Sequence, residues 1–188
     1  MATRAAFQVE IQQVAPEDLV FIDESGITTQ MVRRFARAQG GSRAIGRAPV
    51  RYKALTLLGA LSLTGLRALM TIPAATDEAV FLAFIEQVLV PELRPGQVVV
   101  FDNLAAHKRP AITAAIEKAG CRVILLPPYT PEWNPIEQCW SKMKEFLRAR
   151  AARTLETLEA AVADAMEAVS AQDAQGWFRH CGYKVALD

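Results

Sequence analysis

The pattern of apolar positions divides the chain into short strands and longer helices. Five apolar runs, several of them rich in β-branched residues, predict strands at 19–23, 53–62, 66–72, 98–102 and 122–127. Thr64-Gly65 predicts a turn between the second and third strands. Apolar residues at helical spacing predict helices at 77–93, 109–119, 135–151 and 154–170. Thr76 suits the N-cap of the first helix, because two acids follow it.

The order of these elements predicts an α/β fold. Strands that alternate with helices favour parallel neighbours in a sheet covered on both faces. In such sheets the working crevice lies beyond the carboxyl ends of the strands. Asp23 and Asp102 each end an apolar run, so we expect both at this crevice. The alternative is structural, because acids often end strands and begin turns.

The segment VVVFD (98–102) also resembles the magnesium-binding strand of P-loop nucleotidases. That class needs a glycine-rich loop with a Gly-Lys pair to hold phosphates. No Gly-Lys pair occurs anywhere in the sequence, so the class is excluded.

The stretch LPPYTPEWNPIEQCW (126–140) contains repeated proline breaks and then begins a helix. Asn134 suits the N-cap, Pro135 the first helical position, and Glu137 the third. Glu137 is therefore either a capping-box acid that folds back onto the backbone of Asn134, or a side chain held toward Asp23 and Asp102. Glutamine would satisfy a capping box, whereas a magnesium ligand needs the negative charge.

Composition limits the remaining possibilities. A chain of 188 residues with 52% hydrophobic content suits one domain with a single sizeable core. The three cysteines lack zinc-site spacing and indicate reduced thiols in an intracellular protein. The longest apolar run, 54–72, contains two glycines and an arginine, which favours strands over a membrane span.

Basic residues concentrate in one segment, although the net charge is only +1. Residues 31–53 contain no acid and seven basic side chains, namely Arg33, Arg34, Arg37, Arg43, Arg47, Arg51 and Lys53. An unbalanced basic segment of this kind predicts contact with phosphates. The alternative is a solvated loop whose charges aid solubility.

Three motifs together resemble the catalytic domain of DDE transposases, in the bacterial insertion-sequence branch of the mariner-like superfamily. They are FIDESG, VVVFDNLAAHK and LPPYTPEWNPIEQCW. The 34 residues between Asp102 and Glu137 are typical of that superfamily. The resemblance extends from Leu19 to the terminal WFRHCGY. It implies a ribonuclease H-like fold, with a five-stranded mixed sheet flanked by helices. The first and fourth strands would lie side by side.

The resemblance also implies a chemistry. Asp23, Asp102 and Glu137 would be catalytic and would hold two Mg²⁺ or Mn²⁺ ions. Crowded carboxylates repel one another and call for a divalent cation, and hard oxygen ligands suit magnesium. The expected reaction is DNA cleavage and strand transfer at transposon ends, by in-line attack of water or a DNA 3′-hydroxyl.

Further residues are expected to contact DNA, both transposon ends and target. Besides the basic segment they are Asn103, His107, Lys108, Trp133 and Lys142. Trp133 would stack on a flipped base, or it packs inside the protein. His107 would orient the substrate, or it is an ordinary surface residue. For Lys108 and Lys142, phosphate contact and simple solvation stay open.

The predicted organisation is a short leader, 1–18, and a catalytic domain, 19–188. Eighteen residues are too few for a helix-turn-helix module, so we expect weak, sequence-independent DNA binding. We expect the protein partner to be a second copy of the chain, in a homodimer, or a separate N-terminal DNA-binding polypeptide. The expected location is the bacterial cytoplasm at the nucleoid, without a membrane partner. Two alternatives stay open: an inactive or domesticated remnant that only binds DNA, and another ribonuclease H-like nuclease.

Overall fold

A five-stranded mixed sheet forms the centre of the protein. The structure, a computed structural model, describes residues 3–73, 75–102 and 110–186. The strands are β1 (Leu19–Thr28), β2 (Ala54–Ser62), β3 (Gly65–Ile72), β4 (Val98–Phe101) and β5 (Arg122–Leu125). Their order is β3-β2-β1-β4-β5. The first three pair antiparallel, whereas β1, β4 and β5 pair parallel. The predicted mixed sheet is confirmed, with its first and fourth strands adjacent.

Strand β1 is longer than its apolar run. Its first four residues are buried, and beyond them the strand continues to Thr28 with alternating burial. The continuation is stabilised by β2, which pairs with β1 from Val20↔Ser62 to Thr28↔Ala54. Pairing with β4 ends earlier, at Phe21↔Val100. Asp23 therefore lies within β1 rather than at its end, just past the point where the parallel neighbour stops.

Six α-helices flank the sheet in the described part of the chain. They are α1 (Arg4–Ile11), α2 (Glu78–Phe84), α3 (Pro110–Lys118), α4 (Ile136–Arg150), α5 (Leu155–Glu167) and α6 (Ala171–His180). The predicted helix 77–93 is helical but not uniform, because a π turn, Ile85–Leu89, and a 3₁₀ turn, Val90–Glu92, follow α2. Pro91 lacks the N–H that an α-helical continuation needs. The predicted N-cap Thr76 is wrong: Asp77 accepts from the N–H of Val80 at 2.9 Å.

Apolar side chains cover both faces of the sheet, as predicted. On one face, Phe7, Phe21, Trp140 and Phe178 belong to a core shared with α1, α4, α5 and α6. On the other, Phe81 and neighbouring residues form a second core with α2 and α3. The predicted leader 1–18 thus contains α1, which buries Phe7 and Ile11 in the first core. No helix in the described ranges is long and apolar enough to cross a bilayer.

Candidate active site

Three acidic side chains line one cleft at the carboxyl end of the parallel strands. Asp23 is half-buried in β1, and Asp102 follows the last residue of β4 directly. Glu137 lies in the first turn of α4 and is exposed. The cleft has a volume of about 370 Å³, and its remaining wall is formed by residues 126–131 and Asn134. The fold thus brings together three residues that are up to 114 positions apart in the sequence.

The electrostatic environment of Asp23 is unfavourable for its charge. Burial raises the pKa of Asp23 to about 7, and the negative charges of Glu137 and Asp102 contribute in the same direction. Hydrogen bonds from the backbone of Glu24 and from Trp140 oppose the rise. A buried carboxylate beside two like charges is stabilised by any cation that enters the cleft.

The helix start does not form the capping box that one interpretation predicted. Pro135 occupies the N-cap of α4, and no side chain of the described residues bonds to the helix end. The prediction that Asn134 caps this helix is therefore wrong. The backbone N–H of Glu137 donates to the carbonyl oxygen of Asn134 at 3.1 Å. The Glu137 carboxylate, which lines the cleft, has no hydrogen-bond partner among the described residues.

Asn134 instead presents an unsatisfied oxygen. The residue is only 5% exposed, and its Oδ1 atom is buried without a partner in the described part of the chain. Leaving such an oxygen unpaired costs about 1–3 kcal/mol. Asn134 belongs to the cleft wall beside Glu137. A donor carried in by a ligand would satisfy the oxygen.

Trp140 belongs to the site, although the sequence pattern predicts it only as an apolar position of the helix 135–151. Its indole Nε1 donates to Oδ2 of Asp23 at 3.0 Å. Glu137 and Trp140 are three residues apart and lie on the same face of α4. That spacing is the one sequence signal for a shared site. The bond itself joins residues 117 positions apart, which no local pattern indicates.

The three carboxylates do not surround one point. Among the described residues, no three His, Cys, Asp or Glu side chains are grouped so that they could hold a metal ion as they stand.

Comparison with known proteins identifies the family. The family model described as DDE superfamily endonuclease matches residues 18–159. The chain belongs to the DDE superfamily endonucleases. No curated protein matches it in sequence.

Solved structures of Mos1 transposase share the fold of this DDE endonuclease chain. A Mos1 strand transfer complex aligns with TM-score 0.74 and 15% identity, over 94% of this chain and 55% of that chain. A Mos1 mariner paired end complex with Mn gives TM-score 0.72 and 15% identity, over 94% and 56%. The catalytic domain of Mos1 mariner transposase gives TM-score 0.63 and 15% identity, over 94% and 81%. The chain therefore spans about half the length of the Mos1 chains in the two complexes. The ribonuclease H-like fold implied by the motifs is confirmed.

The basic segment 31–53 of the DDE endonuclease chain is exposed and connects β1 to β2. Arg33, Arg34, Arg37, Arg43, Arg47 and Lys53 are all exposed there. The N–H of Thr29 donates to the carbonyl of Lys53 at 3.0 Å. Arg153 of the loop before α5 donates to the carbonyl of Thr29 at 3.0 Å. The segment thus leaves the sheet at the carboxyl end of β1, and the bonds of Thr29 with Lys53 and Arg153 hold its two ends in place.

Two other residues predicted to contact DNA, Trp133 and Lys142, already contact other residues of the protein. The Trp133 ring stacks on Phe7 with centroids 5.5 Å apart and planes within 5°. The hydroxyl of Tyr183 donates to the carbonyl of Trp133 at 2.6 Å. Lys142 Nζ donates to Oδ2 of Asp173 at 2.5 Å. These environments favour the packing alternative for Trp133 and an ion pair for Lys142. Asn103, His107 and Lys108 lie outside the described residues.

Proposed function

We propose that this chain is the catalytic domain of a DDE transposase. It would cleave DNA at transposon ends and join them to target DNA by metal-dependent in-line displacement at phosphorus. One observation carries the proposal: Asp23, Asp102 and Glu137, taken from three separate motifs, line a single cleft of the endonuclease fold. The solved relatives include a strand transfer complex and paired end complexes of Mos1 transposase.

The donor set of the cleft fits hard divalent cations. Asp23, Asp102 and Glu137 would hold Mg²⁺ or Mn²⁺, two ions in all, and the unpaired oxygen of Asn134 offers a further acceptor beside them. Mos1 paired end complexes contain Mn or Mg. When bound, the ions would activate the attacking oxygen and stabilise the leaving one. Glu137, exposed and unbonded among the described residues, would close the site by rotating inward.

The protein supplies position and charge rather than a covalent intermediate. Asp23 and Asp102 are fixed by neighbouring strands, so their separation is set by the sheet. The basic segment 31–53 would contact the DNA backbone, which gives affinity without reading sequence. Recognition of transposon ends by a homodimer or with a separate DNA-binding polypeptide stays a prediction. Membership of the bacterial insertion-sequence branch and action at the bacterial nucleoid stay predictions.

A plasmid-nicking assay tests the proposal directly. Supercoiled DNA is incubated with the protein and Mg²⁺, and the relaxed form is measured for wild type, Asp102→Asn and Asp164→Asn. Asp164 is the control, because its exposed carboxylate on α5 pairs with Arg150. We expect Asp102→Asn to lose at least about a hundredfold in rate, the size of effect that removal of a transition-state contact produces, and Asp164→Asn to match wild type. Equal nicking by Asp102→Asn would refute the proposal.

The same assay separates the two alternatives. A remnant that only binds DNA would retard the plasmid on a gel without nicking it at any Mg²⁺ or Mn²⁺ concentration. A nuclease of another class would nick, but it would not join a labelled oligonucleotide with a free 3′-hydroxyl to the plasmid. Joining that depends on Asp102 supports the transposase.

A further inference from the structure

We infer that Trp140 and Gly59 together form a support that fixes Oδ2 of the Asp23 carboxylate and so orients this group toward a cation. Trp140 acts as a positioning residue, and Gly59 is the position that makes room for it. The inference rests on the proposed function and adds to it two residues besides the three acids.

The hydrogen bond sets the orientation of Asp23. Trp140 Nε1 donates to Oδ2 of Asp23 at 3.0 Å, and the indole is 2% exposed. An indole N–H can only donate, so it engages Oδ2 as an acceptor and holds it on the α4 side. Trp140 follows Glu137 by about one helical turn. Helix α4 therefore positions two of the three acids: it carries Glu137 itself, and it holds Asp23 through the indole of Trp140.

Gly59 explains how so large a ring reaches the carboxylate. In the β1–β2 ladder, Gly59 is the cross-strand partner of Asp23. A Cβ atom built on Gly59 would lie 2.5 Å from Cη2 and 3.1 Å from Cζ2 of Trp140. Cross-strand partners present their side chains to the same face of a sheet. Because Gly59 has no side chain, the indole of Trp140 can occupy the space opposite Asp23.

A purely structural role is the competing explanation. A buried indole needs an acceptor for its N–H, and Asp23 could serve only as that acceptor. In that case, removal of the N–H would change stability alone. If the bond orients Asp23 for a cation, removal of the N–H lowers cation affinity even where stability is kept.

Binding of Mn²⁺, measured by calorimetry without DNA, distinguishes the two roles. Replacing Trp140 by β-(3-benzothienyl)alanine exchanges the N–H for sulfur and keeps the shape of the ring, whereas Trp140→Phe also removes volume. We expect both to weaken Mn²⁺ binding about 10- to 100-fold, the usual effect of losing a group that orients a metal ligand. The melting temperature of the isosteric variant should stay near that of wild type. Trp177→Phe is the control, since Trp177 packs on the same core without bonding to Asp23.

Glycine substitutions give an independent test from the other strand. Gly59→Ala places a methyl group against the indole, so it should weaken Mn²⁺ binding and slow nicking together. Gly26→Ala is matched to it, because Gly26 lies in β1 and a Cβ there has no atom within 4 Å. That variant should behave as wild type in both measurements.

The outcomes separate this inference from the proposed function. If wild type binds Mn²⁺ and nicks DNA, and the folded isosteric variant binds Mn²⁺ equally well, the positioning role is refuted while the transposase proposal stands. If wild type neither binds Mn²⁺ nor nicks DNA, both are refuted. The positioning role is established if the isosteric variant and Gly59→Ala both bind Mn²⁺ more weakly than wild type. The controls Trp177→Phe and Gly26→Ala must bind Mn²⁺ as wild type does.

Discussion

The backbone N–H of Glu137 donates to the carbonyl of Asn134 at 3.1 Å, yet neither side chain caps the helix that begins there. Glu137 therefore contributes little to helix stability through its carboxylate. We predict that Glu137→Gln keeps the free energy of unfolding within about 0.5 kcal/mol of wild type, as for an uninvolved surface change. Nicking should fall at least about a hundredfold, because the amide cannot supply the charge.

Thermal unfolding and the plasmid assay on the same preparation check this prediction. Glu145→Gln is the control, since Glu145 lies on the same helix with an exposed side chain. It should change neither quantity by much. A Glu137→Gln protein that keeps its stability and still nicks at the wild-type rate would restore the capping interpretation, because glutamine also satisfies a capping box.

Asp23 shows the expected conflict between stability and function. Burial and the neighbouring acids raise the pKa of Asp23 to about 7, so above that pH the folded protein carries an unfavourable charge. We predict that Asp23→Asn raises the free energy of unfolding at pH 8 in EDTA by roughly 1 kcal/mol or more, since one pKa unit corresponds to about 1.4 kcal/mol. The same variant should lose nicking.

Calorimetric unfolding with and without Mg²⁺ measures this prediction. A ligand that binds only the folded state raises its stability, so Mg²⁺ should raise the melting temperature of wild type and not that of Asp23→Asn. A variant less stable than wild type in EDTA would show that the carboxylate is structural.

Much of this architecture could be predicted from the sequence, because the buried runs are short, β-branched and bounded by turns. The end of β1 could not, since residues 24–28 lack an apolar run and are held by pairing with β2. Helix α6 contains Gly176 and several polar residues, and it is fixed by burial of Ala174 and Phe178 in the core. Helix α1 offers only Phe7 and Ile11 as buried positions.

The proximity of Asp23 and Asp102 could be predicted because strand order constrains both. Asp23 lies just past the last pair of the parallel β1–β4 ladder, and Asp102 directly follows β4, so the ladder brings them to one edge. The bond from Trp140 to Asp23 depends on a rotamer and on the absence of a side chain at Gly59, and neither has a local signature. Asn134 illustrates the reverse case, because its sequence context indicated a cap that the structure does not form.

The ion pair of Lys142 and Asp173 predicts acid sensitivity of the α4–α6 contact. The hydrogen bond from Lys142, helped by those from Ser170, lowers the pKa of Asp173 to about 2. Because the folded pKa lies below the ordinary value of 3.8, the stabilisation is complete above about pH 4 and is lost as the pH falls toward 2. Asp173→Asn should cost about 1 kcal/mol at pH 7, a modest figure because water screens partly exposed pairs.

Urea unfolding at pH 7 and pH 2.5 tests this dependence. The difference between wild type and Asp173→Asn should shrink at the lower pH. Asp164→Asn, which removes an exposed partner of Arg150, should show little difference at either pH. An equal loss at both pH values would assign the effect of Asp173 to its capping bonds with Ser170 rather than to charge.

The basic segment 31–53 gives a prediction about DNA. Its arginines are exposed and unbalanced by acids, so each one that meets a phosphate should release counterions. Replacing Arg33, Arg34 and Arg37 by alanine should weaken binding to any duplex and reduce the slope of log K against log salt by up to about 2.7, at about 0.9 per phosphate contact. Lys142→Met is the control, because its ammonium group is already paired with Asp173. Fluorescence anisotropy over a salt series measures both slopes. An unchanged slope in the triple variant would show that these charges only solvate the loop, since counterion release is insensitive to arginines that never reach the DNA.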